Sequence, residues 1–191
     1  VTRYSWRPLP PFGRGEAQRD WLERSERELA EQKPPAGYSQ FDAVLGWTTK
    51  PGHVSPDGTI HVNARGLRAT REYAEPAPSG TRRVIACGES FTFCEEVGHA
   101  EAWPARLEAL VPGLEVWNYG VGGYGTDQAL LRVAREARGS AEALLVGLML
   151  ENIGRNVNRY RPRWYPSALP CAKPRYVTGP DGLDLVPQPY A

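Results

Sequence analysis

The chain has 191 residues, enough for one domain of ordinary size with a short appended segment. With 41% hydrophobic and 24% charged residues it has a globular composition, and a net charge of +1 gives no electrostatic reason to expect nucleic acid or an anionic membrane surface as partner. No uncharged apolar stretch of about 18 residues occurs, so no membrane span is expected, and no signal-peptide pattern is visible.

The cysteines Cys87, Cys94 and Cys171 form no C-x-x-C pair and have no histidine at zinc-ligand spacing, so no zinc site is expected. No other metal and no cofactor is expected. An odd count does not make a disulfide framework and points to a reducing compartment, the cytoplasm.

In chain order, residues 1–14 read as an extended arm. Residues 15–32 are rich in helix formers, with Trp21, Leu22 and Leu29 as an apolar stripe, and Pro34 and Pro35 stop the helix. Residues 41–75 read as loops and hairpins. Pro56-Asp57-Gly58 is a turn signal, followed by a short strand at residues 59–62. Residues 83–87 form a buried apolar strand. Residues 103–110 form a helix that accepts Pro104 in its first turn. A second strand runs through Leu114, Val116 and Trp117 and ends at Asn118. The Gly-rich turn 120–125 leads into a helix from Asp127 to about Arg138, and residues 143–150 make a third buried strand. Alternating strands and helices with apolar strands predict a parallel sheet covered on both faces. Beyond Glu151 the regularity fades into prolines and turn signals such as Gly179-Pro180-Asp181-Gly182. Three strands are few for a doubly wound domain, so a fold incomplete at its C-terminus is expected.

In such sheets ligands bind beyond the carboxyl ends of the strands. The first end carries Cys87-Gly88-Glu89-Ser90. Ser90 there is either an activated nucleophile at a strand-to-helix turn or a plain helix N-cap. The second end, Asn118 to Gln128, holds four glycines, which let backbone N–H groups approach a ligand closely. A flexible turn is the simpler alternative, with Thr126 or Asp127 capping the next helix; a phosphate loop lacks its Gly-Lys-Ser/Thr. The third end carries Glu151-Asn152-Ile153, where the Asn152 amide can donate to an oxyanion without titrating, or simply form a turn.

Taken together, these three blocks resemble the SGNH (GDSL-like) hydrolase superfamily. Residues 88–93 are similar to its nucleophile turn, with Glu89 where the family has Asp. Residues 118–128 are similar to its Asn-x-Gly-rich turn. Residues 151–162 are similar to a subgroup with a Glu-Asn-Ile-x-Arg third block. The resemblance covers roughly residues 82–165, with a weaker likeness from Gly46-Trp47 through Asn63, Gly66, Leu67 and Arg68.

The resemblance implies an α/β fold of three layers, α/β/α, with a parallel sheet of flavodoxin-like topology. Residues 1–80 would form an arm, helix and hairpin segment packed on the core, and residues 81–191 the N-terminal portion of the SGNH-like domain. It also implies an ester hydrolase or acyltransferase in which Ser90 is the nucleophile. The Ser90 N–H, the Gly123 N–H and the Asn152 side chain would form the oxyanion hole. The implied partner is a small-molecule acyl ester, or an acylated sugar or natural product. The family's base lies in an Asp-x-x-His block, which these 191 residues do not contain. A C-terminal segment outside them, or a second chain, is expected to supply that Asp and His. His99 after Glu96, and His53 and His61 in the hairpin segment, are weaker candidates. Adjacent Glu95 and Glu96 read as a solvated acidic edge, and Arg155, Arg159, Arg161 and Arg163 as a basic surface loop. The alternative function is a non-catalytic SGNH-like binding module that lacks the histidine.

Overall fold

The apolar run after Thr81 is the centre of the fold. A computed structural model of the chain describes residues 37–160 and 171–188, together with Arg27. The chain divides after Lys33 into two units, and all described residues except Arg27 belong to the second, Pro34–Ala191. The expected helix over residues 15–32 lies outside the described residues apart from Arg27, which is helical.

Two hairpin strands come first, β1 (Ser39–Asp42) and β2 (Gly46–Thr49). The Asp42 carboxylate closes their turn by accepting the Val44 and Leu45 N–H groups at 2.9 and 2.8 Å. Residues 50–68 then form a looped hairpin. The turn at residues 56–58 is present, but residues 59–62 make only the isolated bridges Val54–His61 and Val62–Arg68. Each half is too short to hold a continuous ladder, so the expected strand is reduced to those bridges.

Next come β3 (Arg82–Cys87), α1 (Ser90–Phe93), a 3-10 turn (His99–Glu101), α2 (Trp103–Leu110), β4 (Leu114–Asn118), α3 (Thr126–Glu136), β5 (Ala143–Val146) and α4 (Asn152–Val157). The sheet order is β4-β3-β5, and both pairings are parallel. This is a mixed α/β fold around a parallel three-stranded sheet. Central β3 is buried from Arg83 to Cys87, as expected of a strand covered on both faces. Ile85 and Cys87 face one core with Trp117, Trp47, Leu45, Leu67 and Ala129 of α3. Val84 and Ala86 face the other with Leu114, Val116 and Leu107 of α2. Arg83 is buried, yet it is paired with Glu115 at 2.7 Å on the neighbouring strand and stacked over Trp117. Its charge therefore does not go uncompensated.

The third strand differs from expectation. It ends at Val146 rather than residue 150, and it is largely exposed, Leu144 at 43% and Val146 at 36%. It is an edge strand: β3 pairs one side, and no described residue pairs the other. An apolar run records hydrophobicity and not the number of neighbours. After β5 the Gly147 N–H still donates to the Cys87 carbonyl at 2.8 Å, and the chain then turns through Met149 and Leu150 into α4.

The last described elements are the antiparallel strands β6 (Arg175–Gly179) and β7 (Gly182–Val186), joined at the Pro180-Asp181 turn. This segment rests against the β1–β2 turn. The Gln188 amide donates to the Ala43 carbonyl at 2.9 Å. A Cβ on Gly46 would lie 2.0 Å from the Ala172 carbonyl oxygen, so only glycine permits the approach.

Candidate active site

The site begins where β3 ends. Glu89, not Ser90, is the N-cap of α1, and its carboxylate accepts the Phe91 N–H at 3.2 Å. Glu89 is buried, and its Oε2 has no hydrogen-bond partner among the described residues. The longer acid at this position still caps the turn. Ser90 is therefore the first helical residue, half-buried, with no capping duty for its hydroxyl. Helix entry leaves its N–H without an internal acceptor.

Close packing builds the surroundings. A Cβ on Gly88 would meet Thr92 Oγ1 at 2.2 Å, and one on Gly147 would meet the same atom at 2.2 Å. Thr92 thus sits between the ends of β3 and β5. On the other side a Cβ on Gly120 would lie 2.4 Å from the Phe93 nitrogen. Asn118 braces this approach: its Nδ2 donates to the Thr92 carbonyl at 2.8 Å and its Oδ1 accepts the Gly120 N–H at 2.8 Å. The Val121 N–H donates to the Gly88 carbonyl at 3.1 Å. The Gly88–Ser90 turn and the Gly-rich turn are therefore stitched together two residues before Ser90. Gly123 follows in the tight turn closed by Tyr124 N–H to the Val121 carbonyl, at φ 81°, a left-handed conformation that favours glycine.

Asn152 is the first residue of α4 and is buried. Its Nδ2 donates to Thr126 Oγ1 at 3.3 Å, and its Oδ1 has no partner among the described residues. The structure joins Ser90 to the Gly-rich turn through Gly88 and Val121, and joins Asn152 to that turn through Thr126, three residues past Gly123. The Ser90 and Asn152 side chains do not hydrogen-bond each other.

Several supports of the Gly-rich turn are invisible in the local sequence. The Trp47 indole N–H donates to the Gly122 carbonyl at 2.9 Å, and the Tyr124 hydroxyl to the Trp47 carbonyl at 2.6 Å. Buried Arg132 binds Thr49 Oγ1, the Gly66 carbonyl and the Tyr119 carbonyl at 2.8, 2.7 and 3.1 Å, and Gln128 binds the Leu45 carbonyl at 2.8 Å. Asp127 pairs with Lys173, which is wholly buried. Burial pushes the Asp127 carboxyl up despite that partner, and pushes the Lys173 ammonium down. Arg155 donates to the Tyr124 carbonyl at 3.2 Å, so it is part of the scaffold and not of a free basic loop. Arg159 donates to the Pro187 carbonyl; Arg161 and Arg163 lie outside the described residues. Glu95 is half-buried rather than a solvated edge: it accepts the Tyr38 hydroxyl, and a Cβ on Gly122 would collide with it. Glu96 is exposed.

Among the described residues no histidine hydrogen-bonds Ser90. His61 Nε2 contacts the Gly58 carbonyl at 2.9 Å. His99 lies in the 3-10 turn with Nδ1 buried and without a hydrogen-bond partner among the described residues, and burial, followed by the charge of nearby Arg68, lowers its pKa. Cys87, Cys94 and Cys171 are free and buried. Among the described residues no group of three or more His, Cys, Asp or Glu is placed to hold a metal, and no helix is long and apolar enough to cross a membrane.

The chain is similar to the solved structure of AlinE4, an SGNH-hydrolase family esterase. The TM-score is 0.36 at 23% identity, covering 41% of this chain and 46% of that one. One substituted form of AlinE4 gives the same values, and another gives a TM-score of 0.35 at 21% identity over the same shares. The chain thus spans less than half the length of these structures. No family model and no curated protein matches it.

Proposed function

We propose that the chain carries the nucleophile and oxyanion hole of an SGNH-like serine ester hydrolase or acyltransferase, borne by residues 81–191 on a three-layer α/β/α fold. The observation that carries this reading is the division of labour at the first strand end. Glu89 caps α1, so the capping role that would explain Ser90 as a structural serine is already filled. What remains is a hydroxyl at the carboxyl end of the central parallel strand, in a turn packed so closely that a Cβ would clash with the backbone of Thr92 and Phe93 at Gly120 and with the Thr92 side chain at Gly88 and Gly147.

In this reading Ser90 Oγ attacks the carbonyl carbon of an acyl ester, and its proton passes to a histidine base supplied from outside these 191 residues. The carbonyl oxygen becomes an oxyanion that accepts from the Ser90 N–H, the Gly123 N–H and Asn152. Collapse of the tetrahedral intermediate expels the alcohol, which takes the proton from the imidazolium. The acyl group then passes from Ser90 to water or to a second hydroxyl. The substrate class is a small-molecule acyl ester, including acylated sugars and natural products.

Asn152 suits its role chemically. With its amide turned by 180°, Oδ1 accepts the Thr126 hydroxyl, and Nδ2 takes the buried position that has no partner among the described residues. A donor there needs an acceptor, and an oxyanion is one. The test is turnover of p-nitrophenyl acetate by the full-length protein. Ser90→Ala is expected to remove about a thousandfold or more of the rate; unchanged turnover would rule out Ser90.

One observation favours a second reading, a non-catalytic binding module: none of His53, His61 and His99 engages Ser90 among the described residues. Ester turnover that depends on Ser90 separates the two.

A further inference from the structure

We propose that Asn156 is a positioning residue that sets the distance between the two halves of the oxyanion hole; the inference rests on the roles given above to Gly123 and Asn152. Helix α3 is 11 residues long and begins after Gly125, which has no side chain to cap it. The first N–H groups of any helix need acceptors from outside it. Here the acceptor comes from another helix. Asn156 Oδ1, on α4, accepts the Thr126 N–H at 2.8 Å and lies 3.5 Å from the Asp127 nitrogen.

Asn152 lies four residues before Asn156, so both project from one face of α4. Asn152 meets the Thr126 hydroxyl while Asn156 meets the Thr126 N–H. Arg155 adds a bond to the Tyr124 carbonyl. Helix α4 therefore grips Tyr124, Thr126 and Asp127, just past Gly123, with three side chains of its own. Gly125 is what admits this grip: a Cβ there would lie 2.7 Å from Asn156 Oδ1 and 2.5 Å from Asp127 Oδ1.

The consequence is geometric. Gly123 belongs to the turn and Asn152 to α4, and the two are tied by the Arg155 bond to the Tyr124 carbonyl and by the bonds of Asn152 and Asn156 to Thr126. The Asn152 contact, at 3.3 Å, is the longest of the three. During reaction its amide must also serve the oxyanion. The Asn156 cap, at 2.8 Å the shortest, is then the main tie that holds α4 in register, and a displacement of about 1 Å at such a site is enough to cost a hundredfold in rate.

The test compares wild type, Asn156→Ala and Asn156→Asp in the full-length protein. It reads kcat and KM for p-nitrophenyl acetate and the exchange rate of the Thr126 amide proton. Asn156→Ala is expected to lower kcat about tenfold or more, with KM within about twofold, and to speed Thr126 exchange. Asn156→Asp keeps the acceptor and should recover most of both. If Asn156→Ala does not fold, Asn156→Gln carries the same expectation, because it keeps the amide on an arm one methylene longer. A kcat within about twofold of an active wild type overturns the proposal and leaves the ester-hydrolase reading standing, as does a loss that Asn156→Asp does not recover. A wild type with no ester turnover overturns that reading and, with it, the role of Asn156.

Discussion

The Trp47 indole N–H donates to the Gly122 carbonyl at 2.9 Å across 75 residues of chain. Tyr124, two residues further on, returns a bond from its hydroxyl to the Trp47 carbonyl at 2.6 Å, and the two rings meet edge to face with centroids 5.6 Å apart. A fully buried tryptophan from the β1–β2 hairpin thus holds both sides of Gly123. Trp47→Phe keeps an aromatic ring and removes the donor. It should lower unfolding free energy by about 1–3 kcal/mol, because the Gly122 carbonyl is left unpaired. Urea unfolding measures this. In the same variant ester turnover should fall more than substrate affinity, since the loss is one of alignment.

The glycines divide sharply by what surrounds them. A Cβ on Gly120 would stand 2.4 Å from the Phe93 nitrogen and 2.7 Å from the Thr92 carbonyl carbon, both backbone atoms that cannot swing aside. Gly98 has ordinary backbone dihedrals and no neighbour nearer than Glu101 Oε2 at 3.7 Å. Gly120→Ala should therefore destabilise by more than about 2 kcal/mol, while Gly98→Ala should be neutral or stabilise by up to about 1 kcal/mol. Equal unfolding midpoints for the two variants would contradict this picture of the strand ends.

Acid should weaken the β1–β2 turn through Asp42. Burial pushes this carboxyl up, but the bidentate Arg135 guanidinium and the Leu45 and Val44 N–H groups outweigh it, and the pKa falls below the ordinary 3.8. A depressed carboxyl contributes stability that is complete above its unfolded pKa and is lost as pH falls through the folded value. The loss should therefore appear below pH 3.8. Asp42→Asn should flatten that limb in urea unfolding measured as a function of pH; an unchanged slope would place the acid sensitivity elsewhere.

The elements legible in the sequence were those defined by local periodicity. Residues 103–110 form a helix as expected, with Pro104 in the first turn, and the strand ending at Asn118 and the helix over residues 126–136 lie within a residue or two of their expected bounds. The extent of β5 was not legible, because burial depends on neighbours that an apolar run does not record. Nor was the cap of α3. It comes from Asn156, 30 residues downstream of Thr126, and no pattern at one helix's start reveals an acceptor on another. The same holds for Arg132, whose guanidinium finds Thr49 and Gly66 at sequence separations of 83 and 66. Glu89 was legible as a departure from the Asp of the nucleophile turn that residues 88–93 resemble; its role as the cap of α1 in place of Ser90 needed coordinates.

Whether Ser90 acts as a nucleophile is read by covalent labelling of the full-length protein with a fluorophosphonate probe, with the labelled peptide identified by mass spectrometry. A single adduct is expected on Ser90, absent in Ser90→Ala and slower to form in Asn156→Ala. No adduct, or an adduct that survives in Ser90→Ala, would contradict a nucleophilic Ser90.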